Sequence, residues 1–349
     1  MESVADGAAG RGSSPLSRTK SHAEVCVLLY RIVFGVAAAL VAALPLQSAA
    51  AQDFPSRPVK IVVPNPPGGP GDVITRAFTE RMGKGLPQPF ILEYRPGAST
   101  TIGTLAVVKS DPDGHTILAL PSAGLAITVV RKKLSYSLEK DLRPVVGVGS
   151  VPLALIVRSS LGFKSVDDLA AAIRKGDLFY GSGGIGTVGH LTGLLLLAEL
   201  KGSATHVPYA GNPEVMQAIL SGSNDLFFGS VSEAMAFAKT PQVQIFGVTS
   251  AARVTGLETV PTLTELGLPK VNSKLWYAFL APSQTPTDRV MRLHDIFANA
   301  AQNPDLQQQL AKVGFNVEIR NPDQLAVMMR EEAARWKQLV DANNISIND

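Results

Sequence analysis

Cysteine is almost absent from this sequence of 349 residues. The single copy, Cys26, lies in or just before an N-terminal apolar segment. The chain beyond that segment therefore has no cysteine. It can form no disulfide, and it can hold neither a reactive thiol nor a zinc ion ligated by cysteine.

An excess of one charge is also missing. The chain has 32 Lys and Arg against 29 Asp and Glu, which gives a net charge of +3. Basic residues are scattered, and the nearest approach to a cluster, Arg131-Lys132-Lys133, is typical of a solvated loop. The charge pattern gives no support to nucleic acid as a partner.

Motifs for catalysis and for metal binding are lacking as well. The sequence contains no His-Glu-x-x-His, no Gly-x-Ser-x-Gly and no Walker loop. Its five histidines are isolated in sequence, without the spacing of metal ligands: His22, His115, His190, His206 and His294. We therefore predict no enzyme, no cofactor and no metal ion.

The first 51 residues have the pattern of a secretory signal peptide. An apolar stretch from Ile32 to Leu46 follows Arg31, and the small residues Ser48 to Ala51 come next. This stretch is shorter than the roughly 18–20 residues that span a bilayer. We predict cleavage after Ala51 and export to the periplasm, with a retained membrane anchor as the alternative.

Beyond residue 52, short apolar runs alternate with helical patterns, which predicts an α/β fold with mainly parallel strands. A final helix is expected from Asp323 to Asn343 because apolar residues recur there at helical spacing. The runs of strand length are Val59–Val63, Pro89–Glu93, Thr116–Leu120, Leu153–Val157, Asp225–Phe228 and Gln244–Val248.

A Pro/Gly loop follows the first of these strands. Residues 64–71 read Pro-Asn-Pro-Pro-Gly-Gly-Pro-Gly, and a helical pattern begins near Asp72. A strand, a Gly-rich turn and a helix N-terminus together present free backbone N–H groups to an anion. A plain tight turn, with Asp72 favouring the helix start, is the alternative. The loop has no nucleophile, base or metal cage, so it indicates binding rather than catalysis.

Residues 180–187 form a second loop of this kind, with the sequence Tyr-Gly-Ser-Gly-Gly-Ile-Gly-Thr. The loop precedes the apolar helix Val188–Leu200 and adds the hydroxyls of Ser182 and Thr187. His190, in the first turn of that helix, has no acid or nucleophile beside it in sequence, which favours a packing or solvent-facing role. Two such loops in two halves of the chain predict two facing sides of a cleft.

Residues 184–189 also match the dinucleotide fingerprint Gly-x-Gly-x-x-Gly. That fingerprint expects an acidic residue about 20 positions further on, at the end of the next strand, to bind a ribose. Here the next strand ends in His206-Val207-Pro208-Tyr209, without an acid. The hypothesis of a nicotinamide or flavin enzyme therefore ranks below that of a binding protein.

Three further loops follow predicted strands, at Leu120–Gly124, His206–Pro213 and Phe228–Val231. Open α/β sheets bind ligands at the carboxyl ends of their strands. Five such loops without catalytic groups predict a binding cleft.

The order of these motifs resembles the Bug-type periplasmic solute-binding proteins of tripartite tricarboxylate transporters. The matching segments extend through almost all of the chain after residue 54. They are 55–64 with 66–69 and Asp72, 95–98 with 102–103, 111–116, 180–182 with 186–187 and 190–191, 207–209 with 211, 260–262 with Glu265 and Gly267, and 281–282.

The resemblance implies a two-lobe, Venus-flytrap fold of the type II periplasmic-binding-protein class, in which each lobe is a mainly parallel sheet flanked by helices. Residues 52–150 and 273–349 would form lobe 1, and residues 151–272 would form lobe 2. The ligand would be a dicarboxylate, tricarboxylate, acidic amino acid or aromatic acid, held by backbone amides, hydroxyls and waters. The site residues carried over are Pro67, Gly68, Gly69, Asp72, Ser122, Ala123, Ser182, Gly186, Thr187, His190, Tyr209, Gly211 and Ser230.

Departures from the family pattern bear on the identity of the ligand. Asn65 replaces a residue that is usually aromatic, Ala210 replaces a frequent Lys or Arg, and Ser99-Thr100-Thr101 replaces a Gly-rich run. Ser230 stands where many members have an acid or an amide. These departures point to a different or more neutral group at the far end of the ligand.

We therefore expect an exported, monomeric solute-binding protein that closes on a small organic carboxylate by hinge motion. It would deliver this ligand to permease subunits of the tripartite tricarboxylate type. A periplasmic sensor that presents its closed form to a membrane histidine kinase is the alternative.

Overall fold

The computed structural model describes residues 54–82, 86–131 and 133–345. The predicted signal peptide, with Cys26 and its cleavage site after Ala51, lies outside the described residues. Strands and helices alternate from Val59 onward, as the sequence pattern predicts.

The strands are β1 Val59–Val63, β2 Phe90–Tyr94, β3 Thr116–Pro121, β4 Leu142–Arg158, β5 Phe179–Ser182, β6 Thr205–Pro208, β7 Leu226–Ser230, β8 Val243–Val248, β9 Lys274–Pro282 and β10 Asn316–Arg320. The helices are α1 Pro70–Met82, α2 Thr101–Val108, α3 Ser122–Val130, α4 Leu138–Asp141, α5 Val166–Lys175, α6 Val188–Leu200, α7 Asn212–Ser221, α8 Val231–Phe237, α9 Thr287–Ala301, α10 Pro304–Ala311 and α11 Pro322–Ala342.

Two sheets share the long strand β4. In the first sheet, β2, β1 and β3 are parallel, and β9 then pairs antiparallel with both β3 and β4. In the second sheet, β6, β5 and β7 are parallel, and β4 pairs antiparallel with β7 and β8. The parallel pairs thus form the outer part of each sheet, while the strands around β4 are antiparallel.

Strand β4 changes sheets near its middle. Its residues 142–152 pair with β9, and 147–150 within that stretch also pair with β10, whereas residues 153–158 pair with β7 and β8. The chain returns to the first sheet at Lys274, where β9 begins. The lobe boundaries at 150/151 and 272/273 remain a prediction.

Apolar residues hold helices against each sheet. Phe78 of α1, Phe279 of β9 and Phe297 of α9 are almost fully buried together under the first sheet. On the other side, Leu191 of α6 belongs to a second apolar cluster that also contains Trp336 of α11. The C-terminal helix therefore packs against α6, and its apolar stripe is core, as its spacing predicts.

Among the described residues, none of the helices has the length and apolar character needed to cross a membrane. The same residues bring together no group of three or more His, Cys, Asp or Glu side chains that could hold a metal ion.

Candidate functional site

A cavity of about 200 Å³ lies where the strand ends of the two sheets meet. Three predicted site residues line it together, namely Ala123, Thr187 and Gly211. The remaining lining residues are Leu153, Gly183, Val188, Gly189, Asn212, Phe228 and Leu275. The cavity therefore joins α3 and β9 of the first sheet to loops of the second sheet.

The N-terminus of α6 opens into this cavity. The Thr187 hydroxyl accepts a hydrogen bond from the His190 N–H at 3.3 Å and donates one to the Gly184 carbonyl at 2.8 Å. The N–H groups of Val188 and Gly189, both cavity-lining, have no acceptor among the described residues. Two unpaired donors at the positive end of a helix dipole favour the approach of a negative group.

Close packing places α6 at this position. A Cβ atom on Gly189 would lie 2.8 Å from the Phe228 carbonyl oxygen of β7. At Gly186, where φ is +77°, a Cβ would lie 2.9 Å from a Val130 methyl at the end of α3. The two glycines thus allow the loop to contact β7 on one side and α3 on the other.

Stacked aromatic rings support the second loop from behind. The ring centroids of His190 and His206 lie 3.9 Å apart, and those of Tyr180 and His206 lie 4.7 Å apart. His190 Nδ1 accepts a hydrogen bond from the Gly186 N–H at 3.0 Å, and Ser182 Oγ lies 2.8 Å from His206 Nε2. Ser182 and His190 therefore position the loop.

Both rings are neutral at neutral pH. Burial lowers the pKa of His190 to about 3, and the neighbouring His206 adds to this effect. Burial likewise lowers the pKa of His206 to about 4. The acceptor role of His190 Nδ1 requires this neutral form, because a protonated imidazole carries a hydrogen on each nitrogen.

The first predicted loop is closed by its own aspartate. Asp72 is buried and accepts hydrogen bonds from the Gly68 N–H at 2.8 Å, from Arg76 at 3.0 Å and from the Tyr94 hydroxyl. Burial alone would raise the pKa of Asp72, but the hydrogen bonds from Tyr94 and Gly68 and the Arg76 charge hold it below its usual range. Pro67, Gly68, Gly69 and Asp72 lie outside the lining of the 200 Å³ cavity.

The remaining predicted residues surround the cavity without lining it. Ser122 is buried at the start of α3, next to the cavity-lining Ala123. The Tyr209 hydroxyl accepts a hydrogen bond from Asn224 Nδ2 at 2.9 Å. Ser230 caps α8 by accepting from the Glu233 N–H at 3.2 Å.

Tyr277 is a candidate that sequence reasoning missed. It lies two residues after the cavity-lining Leu275 on β9, so both side chains point to the same face. Its ring lies 3.6 Å from the position of a Cβ on Gly71, at the start of α1. Its hydroxyl makes no hydrogen bond to a residue that the structure describes, and burial, with the Glu233 charge, raises its pKa. The alternation of side-chain direction along β9 was the sequence signal that could have placed Tyr277 on the same face as Leu275.

Asn212 was missed as well, although it follows the predicted Gly211 directly. It lines the cavity and donates a hydrogen bond from Nδ2 to Glu233 Oε2 at 3.2 Å. Asn212 precedes a proline, which marks it as a helix start in the sequence, but that signal says nothing about a cavity.

A larger cavity, of about 540 Å³, lies between α3, α11 and the segment around Tyr136. It contains none of the predicted site residues. The smaller cavity agrees better with the chemistry, because it is the one that has the free N–H groups of α6 in its wall.

Comparison with known proteins places this geometry in a family. Residues 74–345 match the model of the tripartite tricarboxylate transporter family receptor. The chain is 30% identical to Protein BugT of Bordetella pertussis over 294 residues, which are 83% of this chain and 90% of BugT.

Two solved structures are similar to this chain over most of its length. MatC from Rhodopseudomonas palustris, solved with bound malate, is 31% identical with a TM-score of 0.69, covering 82% of this chain and all of MatC. The periplasmic binding protein BugD is 28% identical with a TM-score of 0.69, covering 84% of this chain and 99% of BugD. The two-lobe fold expected from the sequence is the fold of these neighbours.

A helix N-terminus that opens into a cavity between two sheets is compatible with the binding of a solute. With the family match over most of the chain, it follows that the protein belongs to the tripartite tricarboxylate transporter family of receptors, which are solute-binding proteins and not enzymes.

Proposed function

We propose that this protein captures a small organic carboxylate in the 200 Å³ cavity, by closing two lobes around it. The observation that carries this proposal is the pair of unpaired N–H groups, of Val188 and Gly189, at the cavity end of α6. A carboxylate oxygen accepts hydrogen bonds from such donors, and the helix dipole favours its charge, so no arginine is needed.

The similarity to MatC, which was solved with malate, supports a carboxylate as the ligand class. The similarity to the periplasmic protein BugD, together with the signal-peptide pattern of residues 1–51, supports export to the periplasm. We propose that the ligand is then passed to membrane permease subunits of the tripartite tricarboxylate type.

Hinge closure is proposed from the connections between the sheets. The chain passes from one sheet to the other within β4, near Pro152, and returns before Lys274. Few backbone connections between two packed units are the usual structural basis of hinge motion. We accordingly place lobe 2 at residues 151–272.

The predicted site residues take different roles in this proposal. Ala123, Thr187 and Gly211 are proposed to border the ligand. Ser182, Gly186 and His190 position the loop that carries α6. The other predicted residues lie outside the lining of the cavity, and no direct contact with the ligand is proposed for them: Pro67, Gly68, Gly69, Asp72, Ser122, Tyr209 and Ser230.

A thermal-shift screen tests the proposal. The protein is unfolded and refolded to remove carried-over ligand, and then heated with di-, tri-, amino and aromatic carboxylic acids. A ligand at a hundredfold excess over its Kd should stabilise the fold by about 2.7 kcal/mol.

Thr187→Ala, which removes the cap beside the free N–H groups, should weaken the shift, and Thr187→Ser should retain it. A well-folded protein that responds to no acid would contradict carboxylate capture.

A further inference from the structure

The 540 Å³ cavity between α3, α11 and the segment around Tyr136 is larger than the candidate solute site, and the proposed function gives it no role. Protein interiors are packed as densely as organic crystals, and few of their voids exceed the size of a water molecule. Small-molecule sites, by contrast, occupy roughly 300–1,000 Å³. The size of this cavity therefore indicates a binding site rather than a packing defect.

The buried part of the cavity wall is apolar. It consists of five side chains that belong to one hydrophobic cluster, namely Leu125, Leu138, Leu142, Leu280 and Met329. An apolar cavity of about 150 Å³ accommodates benzene, and on the same scale ten carbon atoms need roughly 250 Å³. A chain of that length fits into 540 Å³ but not into the 200 Å³ of the solute cavity.

The exposed part of the wall is charged. Arg330 of α11 lines the cavity, is exposed, and makes no hydrogen bond or ion pair with a residue that the structure describes. Arg131 follows the last residue of α3, where its charge stabilises the negative end of the helix dipole. Glu139 is the acidic residue of the described wall. Arg330 is thus the cation at the rim that is available to an anionic ligand.

We propose that this cavity is a second binding site, for a monoanion with an extended apolar body, of the class of medium-chain carboxylates. The hydrocarbon chain lies among the leucine and methionine side chains. The carboxylate lies at the rim and pairs with the Arg330 guanidinium, which can donate two parallel hydrogen bonds to it. The proposal is independent of the proposed function, because a short acid at the start of α6 occupies a different cavity.

Isothermal titration with unbranched monocarboxylates of increasing length tests this proposal. The series is acetate, butyrate, hexanoate, octanoate and decanoate, each below the concentration at which it forms micelles, at pH 7.5. Because each buried CH2 group adds a constant increment to the binding free energy, affinity should rise up to about fourfold per added CH2. We expect one molecule of octanoate or decanoate to bind per chain.

Three variants locate the site. Arg330→Gln removes the rim charge and should weaken decanoate binding at least threefold. Lys337→Gln is the matched control, because it removes the same charge from the same helix outside the cavity wall. Ala333→Leu adds bulk to a half-buried wall residue and should weaken decanoate more than butyrate. Arg330 and Lys337 are exposed, so the first two variants need no repacking of the core.

The outcomes decide the proposal. Affinity that rises with chain length, and falls in Arg330→Gln and Ala333→Leu but not in Lys337→Gln, is the expected result. Failure of octanoate and decanoate to bind the folded protein overturns the proposal. Equal affinities in the natural protein and both wall variants also overturn it, because the acid would then bind elsewhere.

Competition separates this site from the solute cavity. A short acid found in the thermal-shift screen should leave the affinity for decanoate unchanged. Displacement of decanoate by that acid overturns the second site, because both acids would then share the solute cavity. If no short acid binds, the proposed function fails, whereas decanoate binding that depends on Arg330 still establishes the second site.

Discussion

At the residue scale, Thr187 shows how one side chain serves both the fold and the site. Its hydroxyl oxygen caps α6, and the same group lies in the cavity wall next to two unpaired N–H groups. Its position after a glycine loop and before an apolar helix made it a predicted binding residue. Asp72, predicted on similar grounds, hydrogen-bonds within its own loop to Gly68, to Arg76 one helical turn further on, and to Tyr94, which comes from β2 and which local sequence does not place beside it.

Lys201 offers a residue-scale prediction on stability. It ends α6 in the left-handed region, with φ of 53°, and its side chain is exposed. A side chain in this conformation costs about 1 kcal/mol, which glycine avoids. Lys201→Gly should raise the free energy of unfolding by up to about 1 kcal/mol in urea denaturation, whereas Lys201→Ala, which keeps the Cβ, should bring no such gain. An equal gain in both variants would show that the backbone is not strained there.

At the element scale, the contact between α6 and β7 determines where the helix N-terminus lies. A methyl group on Gly189 would approach the Phe228 carbonyl oxygen to 2.8 Å, so α6 would have to move. We expect Gly189→Ala to cost about 1–3 kcal/mol in thermal or urea unfolding, as overpacked positions do.

Gly211→Ala is the matched control, because its Cβ would meet its nearest atom at 3.5 Å and its backbone is extended. Equal losses in the two variants would argue against the helix position as the cause.

The histidine pair gives the second loop a dependence on pH. In the folded protein the pKa values of His190 and His206 are about 3 and about 4, below the ordinary value of 6.5. Between the folded-state pKa values and 6.5, the unfolded chain binds up to two more protons than the folded protein. The free energy of unfolding therefore falls as the pH decreases from about 6.5. Above that pH the histidine pair does not make the free energy of unfolding depend on pH.

Urea midpoints at pH 7.5, 6 and 5 measure this effect. His206→Gln retains a polar side chain but removes one titrating group, so its slope between pH 6 and 5 should be clearly smaller than that of the natural protein. His115, whose pKa is also lowered by burial, is common to both proteins and cancels in the comparison. Identical slopes would contradict the interpretation that His190 and His206 are stacked and neutral in the folded protein.

Element boundaries show where the sequence is informative. The β-branched run Val59–Val63 is a strand with the predicted bounds. The strand predicted at Leu153–Val157 is only the second part of β4, which begins at Leu142. Its first part contains Pro144 and two glycines, which ordinarily argue against a strand, and its register shifts at those positions. Pairing with β9 and β10 overrides the local signal.

At the scale of the whole molecule, the order of loops along the chain was enough to predict the fold class and the family. The residues that surround the cavity were not predictable in the same way. Leu275 and Tyr277 come from a strand more than 40 residues beyond the last predicted loop, Phe228–Val231, and Glu233 reaches the site through Asn212. Such contacts depend on how two sheets meet, which no local pattern contains.

The central claim is that a ligand carboxylate binds to the free N–H groups at the start of α6. The most direct test is amide NMR of the labelled protein during titration with the acid that gives the largest thermal shift. The account predicts that the Val188 and Gly189 amide protons move downfield, as they do on forming hydrogen bonds to a carboxylate. Unchanged signals from these two amides, with changes confined to the larger cavity around Tyr136, would contradict it.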